Sequence, residues 1–130
     1  MKRTLLIFLL AVMTIAASAK TKHLLEFADT SYDFGTVKES TAEVVHEYVF
    51  TNVSDEPVAV LSVSTGCGCT RPDYPVKPLA PGEKAVIRIT FLPAGQSGEI
   101  NKDIKVRYRG AKASSSSRIT LRLKGAVVKD

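Results

Sequence analysis

The sequence holds little of what reaction centres are built from. Its 130 residues include two cysteines and two histidines. Structural zinc takes four such ligands, and His23 and His46 stand far from Cys67 and Cys69 in sequence. No serine sits in a nucleophile-elbow pattern, no glycine-rich loop opens a helix, and no acidic cluster has calcium-loop spacing. Those absences argue against the familiar hydrolase, nucleotide-binding and calcium-loop chemistries. No window carries an apolar face at helical spacing over three turns, so no substantial helix is expected. Internal repeats are absent as well.

The first residues, MKRTLLIFLLAVMTIAASAK, hold a different kind of information. Lys2 and Arg3 precede an uncharged run from Leu5 to Ala17, and Ala17-Ser18-Ala19 has the small-x-small form that a signal peptidase cuts. The run is short of the roughly 18 to 20 residues of a spanning helix, and small residues end it. Residues 1–19 are therefore expected to be a cleaved signal peptide. Residues 20–130 are then one domain, periplasmic or secreted, with no membrane span. No cysteine stands at the cut, so nothing there could carry a lipid. Removing Lys2 and Arg3 from the 18 basic residues leaves 16 against 13 acidic, about +3. That mild excess alternates with apolar residues, as on the wet face of a sheet. Nucleic acid is therefore not the expected partner; solubility is the plain reading of these charges, with an anionic partner as the alternative.

From Ala42 onward the apolar pattern has period two. Val44, His46, Tyr48 and Phe50 share one face; Ala85, Ile87, Ile89 and Phe91 share another. Ile100, Ile104, Val106 and Tyr108 oppose Asp103, Lys105 and Arg107, and Ile119, Leu121 and Leu123 oppose Arg118, Thr120, Arg122 and Lys124. Each reads as a half-buried strand. In VAVLSVST, Ala59, Leu61 and Val63 are expected to face away from Val58 and Val60. Two shorter candidates, HLLEF and YDFGTV, come earlier. Turns are expected at Asn52–Pro57, at Arg71–Pro81 with its four prolines, at Pro93–Gly98 and at Gly110–Ser117. About seven strands with turns between them predict an all-β, immunoglobulin-like antiparallel sandwich.

The residues that resist a purely structural account are in STGCGCTRP, residues 64–72. An exported chain permits a Cys67–Cys69 disulfide, and Gly68 is expected to supply the backbone freedom for it. A ring so small would stabilise the fold by only about 1.6 kcal/mol through loop closure. It would stiffen a bend and not staple sheets together. Free thiols, a two-coordinate Cu(I) clip on Cys67 and Cys69, and disulfides to a partner stay open beside it. Thiol catalysis is disfavoured, because one residue separates the cysteines and no helix start follows; Arg71 nearby is the lone residue that would lower a thiolate pKa. His46, on an apolar face beside Tyr48, reads as a packed histidine. His23 falls fourth after the expected cut, one place late for an amino-terminal copper clasp.

Several segments together carry a resemblance. YDFGTV, YVFTNVSDEPVAV, VSTGCGCTRPDYP, LAPGEKAVIRITFLP, SGEINKDIKV and LRLKGAVV resemble, in that order, the bacterial exported domain of unknown function fifteen seventy-three, from about Tyr32 to Val128. The matching positions are Phe34, Gly35, Asn52, Cys67, Gly68, Cys69, Thr70, Pro81, Gly82, Gly98 and Lys102. After Tyr108 this chain has RGAKASSSS where the family usually carries an Asn-Asp turn. The resemblance implies an immunoglobulin-like sandwich of the sort seen in pilus chaperones, sperm-protein-like and cilium-associated modules, which mostly bind proteins. It implies no established activity and no cofactor. The expectation is thus a non-catalytic module that meets another envelope or extracellular protein. It would do so through a sheet edge or the loop residues Thr65, Gly66, Cys67, Gly68, Cys69, Thr70 and Arg71.

Overall fold

A computed structural model describes residues 23–130; the expected signal peptide lies outside the described residues. Eight strands form two four-stranded sheets packed face to face. They are β1 Leu25–Phe27, β2 Ser31–Lys38, β3 Val44–Asn52, β4 Val58–Ser64, β5 Thr70–Asp73, β6 Lys84–Phe91, β7 Gly98–Gly110 and β8 Ser117–Val128. One sheet has the order β1-β3-β6-β5 and the other β2-β8-β7-β4. No helix occurs among the described residues. The period-two pattern produces this directly: Tyr48, Phe50, Ile87, Ile89, Phe91, Ile104, Val106, Leu121 and Leu123 are buried between the sheets, while their strand neighbours face solvent.

The expected immunoglobulin-like sandwich is present, with three refinements. All strand pairs are antiparallel except β2 with β8. A parallel pair needs a long connection, and here nearly the whole chain lies between Ser31 and its partner Arg122. The second refinement is β5, which forms inside the stretch read as a proline-rich turn. It is four residues long and lies at a sheet edge, where Pro72 leaves no interior ladder bond missing. Third, a register shift between Val60 and Ser62 inserts Leu61 as an extra residue in β4. The bulge turns Val63 inward beside Val58 and Val60, against the expected alternation, and leaves Leu61 42% exposed.

Two family-like positions have clear structural roles. Gly35 sits at positive φ where β2 skips register between Asp33 and Thr36, the kinked edge strand that Phe34-Gly35 suggests. Asn52 is fully buried with every polar group satisfied. Its side-chain amide donates to the carbonyls of Glu56 (2.8 Å) and Leu79 (3.0 Å). Its Oδ1 accepts from the Ser54 amide (3.0 Å) and hydroxyl (2.6 Å), and its backbone bonds Glu83 and Gly82. One side chain therefore ties the β3–β4 turn to the segment entering β6. Replacing Asn52 with Leu keeps the bulk but removes four hydrogen bonds; the Glu56 and Leu79 carbonyls retain the Ser54 hydroxyl and the Val58 amide as donors, while the Ser54 amide loses its acceptor, at about 1–3 kcal/mol for an unmet buried group. Asn52→Leu is expected to lower unfolding free energy by about 1–3 kcal/mol in urea denaturation. A change below about 0.5 kcal/mol, the usual range for an uncritical surface site, would contradict this role.

Candidate functional site

The loop from Thr65 to Cys69 joins β4, an edge of one sheet, to β5, an edge of the other. It is held by its own main chain. The Thr70 amide donates to the Cys67 carbonyl at 3.3 Å, closing a four-residue turn, and the Cys69 amide donates to Cys67 Sγ at 3.2 Å. The Thr65 hydroxyl faces the Cys67 and Thr70 carbonyls at 3.2 and 3.1 Å, and the Leu92 amide donates to the Cys69 carbonyl at 2.8 Å, fastening the loop to the end of β6. Positive φ falls on Gly66, not on Gly68 as expected. The bend turns out of β4 at Gly66, and the turn over Cys67–Thr70 is built without a left-handed residue.

The sulfurs of Cys67 and Cys69 lie at disulfide distance, with the Cα atoms 5.3 Å apart. Both residues are half-buried, and Cys69 rests against the core. Neither sulfur reaches across the sandwich to a distant residue, and no helix begins at the bend. Thr70 is 4% exposed, so of the seven loop residues it offers a partner no surface. Gly66 and Gly68 are exposed, and Arg71 lies on the exposed side of β5.

His46 is remote from this loop. It is packed between aromatic rings: Tyr32 stacks on it at 3.8 Å and Tyr48 meets it edge-on at 4.5 Å. Its Nε2 lies 3.0 Å from Asp29 Oδ2, and the Tyr48 hydroxyl donates to the Arg122 carbonyl, linking the two sheets. Burial, with Asp29 and Tyr32 nearby, pushes the Tyr48 phenol upward, so it remains a protonated donor through the physiological range. His46 is thus a packed histidine.

Two features were not read from the sequence. A cleft of about 720 Å³ lies beside the short β1, walled by Leu24, Phe27, Val53 and Ile119 and reaching His23. A smaller one, about 190 Å³, lies directly before the loop and is lined by Ser62, Ser64, Lys105, Arg107 and Arg118. The second has a faint signal in the outward residues of the alternating strands; what assembles them is the register, which spacing alone does not give.

A family model described as "Protein of unknown function (DUF1573)" matches residues 25–127. A search of curated proteins found no match. Among solved structures, PapD-like domain 7 of human CEP192 is similar at a TM-score of 0.64 and 17% identity, over 82% of this chain and 87% of that one. The Vibrio cholerae VesB protease is similar at 0.65 and 16%, over 80% of this chain and 32% of the protease. The YadV chaperone is similar at 0.59 and 14%, over 81% and 52%. The chain spans about a third of the protease and about half of the chaperone. At such identities the likeness is one of fold.

A three-residue ring constrains little chain. Replacing Cys67 and Cys69 together by Ser is expected to cost about 1–2 kcal/mol, with the fold kept, when thermal unfolding of the variant is compared with the parent. A loss above about 4 kcal/mol would mean that the sulfurs hold the layers together.

Proposed function

Since the chain belongs to the family described as "Protein of unknown function (DUF1573)", whose model covers residues 25–127, we propose that it is an exported, non-catalytic module that captures an extended segment of another envelope or extracellular protein. The edge of β4, beside the Cys-Gly-Cys loop, is the surface used. One observation carries this reading: of the four edge strands, β4 is the least defended. Natural edges are blunted by shortness, charge, proline or bulges. β1 has three residues, β5 has four and contains Pro72, and β2 carries Asp33, Lys38 and the Gly35 kink. β4 has seven residues with no charge and no proline; its protections are the Leu61 bulge and a single bridge from Leu79 to Val58 at one end.

Main-chain hydrogen bonds along such an edge give affinity without any special side chain. The loop at the end of β4, stiffened by its own hydrogen bonds, would then fix where the captured segment stops. The resemblance in fold to a chaperone and to a PapD-like domain is compatible with a binding role. Export rests on the form of residues 1–19, and places the module in the periplasm or outside the cell.

A second reading is favoured by the sulfurs standing at bonding distance. Cys67 and Cys69 would then cycle with a thiol reductant between disulfide and dithiol, the dithiol being able to hold Cu(I). Thiol titration of the native protein before and after reduction, with copper analysis of the reduced form, separates this reading from the first.

Leu61 is the unpaired, exposed residue of the bulge, so Leu61→Pro should blunt the edge without adding charge and with little effect on folding. Peptides selected from a random library against the intact protein are expected to protect β4 amides from hydrogen exchange and to bind Leu61→Pro at least about tenfold more weakly, a difference near 1.4 kcal/mol. Protection confined to another strand would refute use of the β4 edge.

A further inference from the structure

The charge that alternates innocuously along the sequence is gathered by the fold onto one face. On the outer side of the β2-β8-β7-β4 sheet, Lys105, Arg107 and Arg109 follow one another along β7. Arg118 of β8 is directly opposite Arg107, and on the other flank Ser64 pairs with Lys105, Ser62 with Arg107 and Ala59 with Arg109. All four cations are exposed. None is within 4.0 Å of a carboxylate among the described residues.

Arg88 pairs with Glu47 at 2.8 Å on the other sheet and Arg122 lies 3.5 Å from Asp103 further along this face, so what sets the four apart is that they adjoin one another with no acid between them. Like charges directly opposite one another in a sheet are destabilising. Arg107 facing Arg118 with no acid beside them is a poor arrangement for solubility alone, and a good one for an anion.

From this we propose that the segment captured at β4 is acidic, with Asp or Glu at alternate positions; this rests on the strand-addition reading given above. Two features of the face select such a partner. The first is repeat. Lys105, Arg107 and Arg109 recur every second residue, about 6.8 Å apart, which is the spacing of alternate carboxylates on an added antiparallel strand. The second is reach. A strand added to β4 stands two strand spacings from β7, about 9.6 Å. Beside the exposed Leu61, the β4 residues Ser62 and Ser64 have among the smallest side chains available, so Lys105 and Arg107 can lean across them, while the Arg109 Nε donates to the Ala113 carbonyl at 3.0 Å. The 190 Å³ cleft lined by Ser62, Ser64, Lys105, Arg107 and Arg118 is the opening they leave. Carboxylates on the outward side of the added strand would meet guanidinium groups there, and its alternate residues would pack over the sandwich edge.

The test uses the intact protein and labelled synthetic peptides of roughly eight residues, near the length of β4. One peptide alternates Glu and Thr, a second alternates Gln and Thr, and a third alternates Lys and Thr. Binding is read by fluorescence anisotropy and location by amide hydrogen exchange. The Glu peptide is expected to bind at least about tenfold more tightly than the Gln peptide, to weaken as salt approaches about 0.15 M, and to protect β4 amides. The Lys peptide should not bind. Arg107→Glu/Arg118→Glu should remove the preference, and Lys105→Glu/Arg109→Glu provides an independent pair of exposed sites should the first variant fold poorly.

Equal binding of Glu and Gln peptides, both protecting β4, would overturn the acidic preference and leave the edge reading standing. Tight binding of the Glu peptide without β4 protection would overturn both. Binding of phosphatidylglycerol vesicles in place of the peptide would overturn the proposal and assign the face to lipid headgroups.

Discussion

The register between β7 and β8 is the constraint on which the rest of the molecule depends. Their ladder runs from Gly98 opposite Val127 to Tyr108 opposite Ser117 without a break. That alignment sets Ile104, Val106, Leu121 and Leu123 into the core together, and by the same stroke sets Lys105, Arg107 and Arg118 side by side in solvent. A slip of one residue would exchange the two sets, burying charges at a cost no surface pairing could offset. The apolar core therefore fixes the charged face. β2 and β4 then attach to the flanks of this hairpin and become the sheet's edges.

Seen in this way, the two ends of β4 have different characters. Its start is covered, with Val58 buried and bridged to Leu79. Its far end leads into the Cys-Gly-Cys bend, which turns from one sheet to the other within five residues and leaves the sulfurs beside the core without bridging the layers. The cysteines thus shape the boundary of an edge.

Much of the fold was legible because half-buried strands write their burial into alternate residues. β3, β6, β7 and β8 could be placed, face by face, from Tyr48, Ile87, Ile104 and Leu121 and their neighbours. Three things escaped for physical reasons. Leu61 is an extra residue, and nothing in an alternating apolar run marks where a bulge will fall. β5 looks like a turn because Pro72 is poor in a sheet interior, a penalty that an edge lifts. The cationic face is a product of pairing between strands: Arg107 and Arg118 are eleven residues apart in the chain and directly opposite in the sheet. The loop was visible for its rare composition, yet the residue that bends it is Gly66 and not the glycine between the cysteines.

The central claim is that β4 is an open edge next to a fully paired strand. Residue-resolved amide hydrogen exchange of the free protein tests it most directly. The account predicts slow exchange throughout β7 and the central part of β8, and fast exchange at alternate amides between Ala59 and Ser64, those turned away from β7. Uniform slow exchange along β4, equal to that of β7, would contradict it, since the edge would then already be covered in the free molecule.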